Sequence, residues 1–391
     1  MRIHTLAGPR IPALVLQECR REKRYGPGAA GSAGIPDTLR LSSASTETSR
    51  KSNICFCRGP VTTSRLIRLV ADGSLVLEVE RSCLPAAAPW IPRFPTSIPT
   101  APDFGAQATV QVLPARSPGP APPLTKPSLA LSGVSAWIDD ASGLVRLYAG
   151  HDRAHGTIDL DSRCAELFVP QDDTASRNDA VFTMLTIGSA LLLGRLRRTL
   201  IHAAGAVAPN GGCWLLVGDA RAGKTTTTIN LIRGGWGFLS DDHVVVSDTD
   251  VGPSIEGWPR PFHVDAGWAQ GDIAGIRKPV DPGEFGADLW ARTAPLAGLL
   301  FPQVNADAPT RLHPLPPATS LSLLIRQTPW LLADRGSAYD LLALLGRMAS
   351  LPSFRLSAGR DSYADSEALL RQFEGIAPGR ASSSADVEGS D

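Results

Sequence analysis

Residues Gly218-Asp219-Ala220-Arg221-Ala222-Gly223-Lys224-Thr225 spell G-x-x-x-x-G-K-[ST] in full. The glycines of such a run let the backbone wrap so that N–H groups point inward at phosphate oxygens. Lysine adds a mobile cation for the β- and γ-phosphates, and the hydroxyl can ligate Mg²⁺. The expected nucleotide contacts are therefore Gly218, Asp219, Ala220, Arg221, Ala222, Gly223, Lys224, Thr225 and the following Thr226, with ATP and Mg²⁺ as the implied cofactors. Seventeen residues beyond Lys224 stand two adjacent carboxylates, Asp241 and Asp242. A carboxylate at a strand end beside a phosphate site can hold the metal shell or accept a proton from an attacking hydroxyl. Neighbouring residues of an extended chain face opposite sides, so the two divide these roles. His202, in Leu200-Ile201-His202-Ala203-Ala204-Gly205, is the third candidate. A histidine beside apolar residues reads as a core group or as a catalyst, and the residues alone leave both open.

These side chains need a strand, a loop and a helix to position them. Gly-Cys-Trp-Leu-Leu-Val-Gly over 212–218 has the apolar run of a buried strand, and Thr225 to Arg233 forms a helix ended by Gly234-Gly235. That helix turns its N-terminal dipole toward a bound anion. Trp236 to Ser240 is a second apolar strand delivering Asp241-Asp242 at its carboxyl end, and Val244 to Val246 continue as another. Upstream, Val181 to Gly194 reads as a buried helix closed by Arg195, Arg197 and Arg198. Val134 to Ile138 and Leu144 to Tyr148 flank the turn signal Asp139-Asp140-Ala141-Ser142-Gly143, and Ser64 to Glu80 suits a hairpin about Asp72-Gly73. Leu341, Leu344, Leu345 and Met348 have helical spacing and belong to the core. Strand and helix signals alternating to about residue 375 predict an α/β or α+β domain.

The stretch from Arg198 to Val246 carries Leu200-Ile201-His202, Gly218-Asp219, Gly223-Lys224-Thr225, Leu231-Ile232-Arg233-Gly234-Gly235 and Ser240-Asp241-Asp242-His243-Val244. It resembles the catalytic domain of the HPr kinase/phosphorylase family. The resemblance implies a P-loop fold like that of phosphoenolpyruvate carboxykinase and ATP-dependent phosphorylation of a serine hydroxyl. Carried over by position, Asp241 is the base, Asp242 a polar or metal-shell neighbour that joins Thr225 at Mg²⁺, Lys224 a phosphate contact, and His202 an active-site neighbour. Thr225-Thr226 stands where the bacterial enzyme has Ser then Glu, and the long N-terminal extension differs from the family's regulatory domain. The expectation is a related serine/hydroxyl kinase with another acceptor: a peptide, a protein or a small molecule. The alternative is an ATP-binding switch or ATPase that engages a partner protein. Arg260, His263 and Lys278 are further candidates for contact with acceptor or γ-phosphate.

Composition bounds these readings. Thirty-eight Lys and Arg balance 38 Asp and Glu, so no global field would hold the chain on nucleic acid or an anionic membrane. No apolar window reaches the ~18 residues of a spanning helix, and the N-terminus makes a poor secretory signal, which together read as cytoplasmic. Six cysteines are too sparse for a disulfide scaffold, and Cys55 and Cys57, without a companion His or Cys nearby, read as ordinary thiols. Residues 1–60 hold ten Lys and Arg against four Asp and Glu and read as a disordered basic segment. Twelve of the 33 prolines fall between Pro85 and Pro127, so residues 61–128 read as a short strand patch and a linker. The catalytic domain is then expected over 129–377, before a disordered tail over 378–391. A homo-oligomer is compatible with all of this.

Overall fold

A computed structural model describes residues 64–92, 105–115, 119–150, 154–170, 176–258, 260–267, 272–285, 290–305, 307–364, 366–373 and 376. All lie in the unit Asn53–Asp391. The basic segment expected over 1–60 and the tail over 378–391 fall outside the described residues.

The chain first forms β1 (Ser64–Arg68), β2 (Leu75–Glu80), the short α1 (Leu84–Ala87), β3 (Ala108–Pro114), β4 (Leu129–Leu131), β5 (Val134–Asp139), β6 (Leu144–Ala149), β7 (His155–Asp159) and β8 (Cys164–Val169). They make one sheet in the order β1-β2-β3-β8-β7-β6-β5-β4. The hairpins expected about Asp72-Gly73 and Asp139 to Gly143 are both present, the second pairing Asp139 with Leu144. A linker over 61–128, with a boundary at 129, does not describe this arrangement. β3 lies between β2 and β8 and pairs in parallel with both, so 64–114 and 129–169 share one sheet. The prolines misled because they flank the strands, while Ala-Thr-Val-Gln-Val over 108–112 has the residue types of a buried strand.

α2 (Ser176–Arg195) packs its Met184, Leu185 and Leu192 into a core with Leu77, Val110 and Leu167 of this sheet and with Leu200, Val245 and Trp258 of the next. Its terminal cation does more than complement a helix dipole: Arg195 forks onto Asp334 at 2.8 and 3.0 Å. Arg198 likewise pairs with Asp72, which burial would raise but Arg198 and the Ser74 backbone N–H hold at about 2.

The second sheet is built from β9 (Arg198–Ile201), β10 (Ala203–Val207), β11 (Cys213–Val217), then after α3 (Lys224–Arg233) from β12 (Gly237–Ser240), β13 (His243–Thr249) and β14 (Gly252–Trp258). β15 (Phe262–Gly267) and β16 (Asp272–Val280) form a separate ribbon. β17 (Thr293–Val304) runs through the centre of the second sheet, and β18 (Arg311–Pro314), α4 (Pro317–Arg326), α5 (Arg335–Ala349), β19 (Ser353–Ala358), α6 (Asp361–Ala364) and α7 (Ser366–Leu370) complete the fold. The order is β12-β10-β11-β17-β14-β13-β9, with β19 also on β17 and β18 on β19. One face is covered by α4 and α5, whose Leu324, Leu341, Leu344, Leu345 and Met348 join Leu215 and Leu299, as the spacing of the α5 residues predicts. The other carries α3 and α7, where Leu231 and Leu369 meet Leu216, Leu300 and Leu356. This is a mixed α/β architecture. The expected alternation is interrupted, because seven strands, β12 to β18, follow α3 with no α-helix between them among the described residues. No helix among the described residues is long and apolar enough to cross a membrane. Cys83 and Cys213 are free and buried, whereas Cys164 is disulfide-bonded.

Candidate functional site

Strand register brings the candidate residues together. Ala203 pairs with Val217, so His202 at the start of β10 comes beside Gly218 at the end of β11. β10 also pairs with β12 through Gly205 and Ser240, which puts Asp241 at the same sheet edge. β12 and β11 both run antiparallel to β10, so their carboxyl ends point the same way, the usual place for ligands of α/β sheets. On the neighbouring strands Val244 pairs with Ile201 and His243 with Trp258, which brings His243 and Arg260 to the opposite side.

The loop from Gly218 to Gly223, formed with Asp219, Ala220, Arg221 and Ala222, joins β11 to α3, whose first turn holds Lys224, Thr225 and Thr226. Two residues take left-handed backbone, Arg221 at φ 65° and Gly223 at φ 101°, and a Cβ on Gly223 would also come within 3.2 Å of Val304. Lys224 is folded back over this turn: its Nζ donates to the Gly218 carbonyl at 2.7 Å and to that of Asp219 at 3.2 Å. Nζ also lies 3.1 Å from Nε2 of His202. An ammonium only donates, so Nε2 accepts, and the ring proton sits on Nδ1, 3.2 Å from Oδ1 of Asp242. Burial, reinforced by Lys224, His243 and Arg260 and opposed by Asp242, lowers His202 to about 4, so its ring is neutral at pH 7.

The adjacent aspartates do face different ways. Asp241 accepts from the Thr225 hydroxyl at 3.2 Å through Oδ2, while its Oδ1 is buried without a hydrogen-bond partner. Burial, then the charge of Asp242, raises it to about 7 against the pull of Thr225, Lys224 and Arg260. Asp242 instead receives Arg260 Nη1 at 2.5 Å and His243 Nδ1 at 3.1 Å on Oδ2, besides His202 on Oδ1. Burial alone would raise Asp242, but His243, His202 and Arg260 hold it far below the carboxylate range.

The carboxylate beside Thr225 is Asp241, and Asp242, expected in the metal shell, is already neutralised by a guanidinium. The donors of His202, Asp242 and His243 lie within 4.8 Å of one another, a spacing that a metal ion could bridge. Arg260 on the same carboxylate opposes a second cation there.

Arg260 is a buried anchor: its Nε donates to the Pro89 carbonyl at 2.8 Å, and its guanidinium lies 4.4 Å from the centre of the Phe182 ring. Trp258 Nε1 donates to the Trp90 carbonyl, and Trp90 Nε1 to Thr186, both at 3.0 Å. The first sheet's connection thus holds the second sheet's site. His263 is exposed on the separate ribbon, and the side chain of Lys278 lies outside the described residues. Sequence reasoning gave no role to His243 or to Gln327 and Arg326, which bind the Asp219 carboxylate at 2.7 and 3.1 Å. The only local signal was the placement of His243 directly after the aspartates.

No protein-family model matches the chain, and no curated protein does. Among solved structures, the Hpr(Ser) kinase/phosphatase from Coxiella burnetii is similar at 12% identity, over 44% of this chain and 95% of that one, with a TM-score of 0.28.

Proposed function

We propose that the protein is an ATP- and Mg²⁺-dependent phosphotransferase acting on a hydroxyl group. The observation that carries this reading is the convergence of Lys224, Thr225 and Asp241 at the carboxyl ends of β11 and β12, with His202 against that lysine and Asp242 against His202. It agrees with what the resemblance of residues 198–246 to HPr kinase implies. The residues fit the group: the loop is open to solvent, its backbone uses left-handed turns, and Asp241 keeps a buried oxygen without a partner. Mg²⁺, when bound, supplies charge neutralisation on the β- and γ-phosphates.

The chain's own residues supply the rest. Lys224 exchanges its two loop carbonyls for phosphate oxygens, and Thr225 offers its hydroxyl to the metal. Asp241, with its pKa lifted to about 7, is the proton acceptor, since a base is most effective near the working pH. Asp242 is too firmly ionised for that role and instead orients His202, His243 and Arg260. The test is transfer from γ-labelled ATP to alcohols, run beside calorimetry of Mg-ATP binding. Binding and transfer in the wild type, with binding weakened and transfer lost in Lys224→Ala, support the reading. ATP turnover that never labels an alcohol would replace it with an ATPase switch.

A further inference from the structure

A cavity of 480 Å³ opens beside Asp242. It is lined by His202 and Asp242, whose side chains keep 32% and 30% of their surface open, and by the apolar Leu131, Phe182, Pro329 and Trp330. The volume lies within the ~300–1,000 Å³ usual for small-molecule sites. Three features restrict what can fill it. Thr183 and Thr186 also line it, but each hydroxyl donates to a carbonyl of its own helix, at 2.9 Å in both cases. Arg326, a cation at its edge, is ion-paired with Asp219, while Asp179 adds a carboxylate. Trp330 and Thr186 each retain only 3% of their surface, so the wall lies too deep for a broad protein face to reach.

Resting on the phosphotransferase reading, we infer that this cavity is the acceptor site and that the acceptor is an uncharged alcohol with an apolar, ring-sized body. An anionic acceptor would meet Asp179 and Asp242 with no cation left unpaired by the bonds described above, whereas an apolar body gains by leaving water for Leu131, Phe182 and Trp330. In the reaction the acceptor oxygen forms a bond to the γ-phosphorus. The bond from that phosphorus to the β–γ bridging oxygen breaks, ADP leaves with its electron pair, and the hydroxyl proton passes to the aspartate pair, of which the cavity reaches Asp242. Leu131 sits on a different sheet from the nucleotide residues, so acceptor choice is separable from nucleotide binding.

The probe is 2-phenylethanol, with glycerol as the apolar-free control, on the full chain. Binding is read by saturation-transfer NMR, and phosphoester formation with Mg-ATP by phosphorus NMR. The wild type is expected to bind 2-phenylethanol and to phosphorylate it about 100-fold more efficiently than glycerol, the scale of discrimination by an apolar pocket. Leu131→Trp, which fills the cavity, is expected to weaken probe binding about tenfold or more with Mg-ATP affinity unchanged, and that unchanged affinity also reports an intact fold. Equal use of glycerol and 2-phenylethanol, or probe binding that Leu131→Trp leaves intact, overturns the acceptor inference while the kinase reading stands. Probe binding in the cavity with Mg-ATP bound but no alcohol phosphorylated overturns the kinase reading itself, and the acceptor role with it.

Discussion

The two halves of the candidate site are built in different ways. The half that holds Lys224 and Thr225 is local: six loop residues and one helical turn, closed by backbone carbonyls five and six residues away. The half centred on Asp242 gathers His202, His243 and Arg260 from separate strands and connections, and Arg260 is fixed in turn by Pro89, 171 residues distant. The first half is held by its own turn geometry and left open to solvent. The second is a charge cluster that is stable only while every partner is in place, because a buried ion without its partner costs more than the pair contributes. Damage to the first should remove function and spare the fold, and damage to the second should weaken the fold as well.

The largest effect is expected from deleting residues 1–125. This removes β2 and β3 from the first sheet, along with Asp72, Pro89 and Trp90, and the loss exceeds a typical total stability of about 5–15 kcal/mol. Circular dichroism and sedimentation of the truncated chain check it, and a folded, ATP-binding product would break the claim that the Asp242 half depends on the first sheet. Next is Asp241→Asn, which keeps the shape and removes the base: transfer should fall about 10²–10⁴-fold while Mg-ATP still binds. Undiminished transfer would take Asp241 out of that role.

Arg260→Ala leaves Asp242 with histidines alone, and should cost about 3–5 kcal/mol in urea unfolding, the scale for breaking a buried pair. Lys224→Ala supplies the contrast. Calorimetry should show Mg-ATP binding weaker by about 1–3 kcal/mol or more, with little change in the unfolding midpoint. Equal unfolding penalties for the two variants would erase the distinction between the halves.

The smallest effect concerns Glu256, which accepts the Ala71 backbone N–H and lies 3.9 Å from Arg292. Burial, partly offset by Arg292 and that N–H, lifts it from 4.5 to about 7. A carboxyl raised by folding contributes stability that is full below its ordinary value and is lost as pH rises through the folded one. Wild type should therefore lose stability between pH 5 and pH 8, and Glu256→Gln should reduce that loss by about 1–3 kcal/mol, each pKa unit being worth about 1.4. Parallel denaturation curves at both pH values decide it.

Much of the framework was legible because its signals are short-range. The hairpin at Asp139 to Gly143, the buried α2 and the α5 stripe follow from turn chemistry and periodicity. β3 was not legible: five strand-forming residues amid prolines look like linker until β2 and β8 lie on either side to pair with them. His202 was ambiguous for the same reason, since its role depends on the strand beside it. Its partners Lys224 and Asp242 are 22 and 40 residues away.

The sequence by itself determined the glycine-rich turn, its lysine and threonine, and two carboxylates with opposite outlooks, because these rest on backbone freedom at glycine and on the alternation of an extended chain. Only the tertiary structure decided which carboxylate meets Thr225 and which is neutralised by Arg260. It also decided that residues near Trp90 anchor the site and that a largely apolar cavity opens beside it. Those outcomes depend on strand register and burial, where one residue of shift exchanges the two faces, and no local pattern encodes a partner that folding brings from 171 residues away.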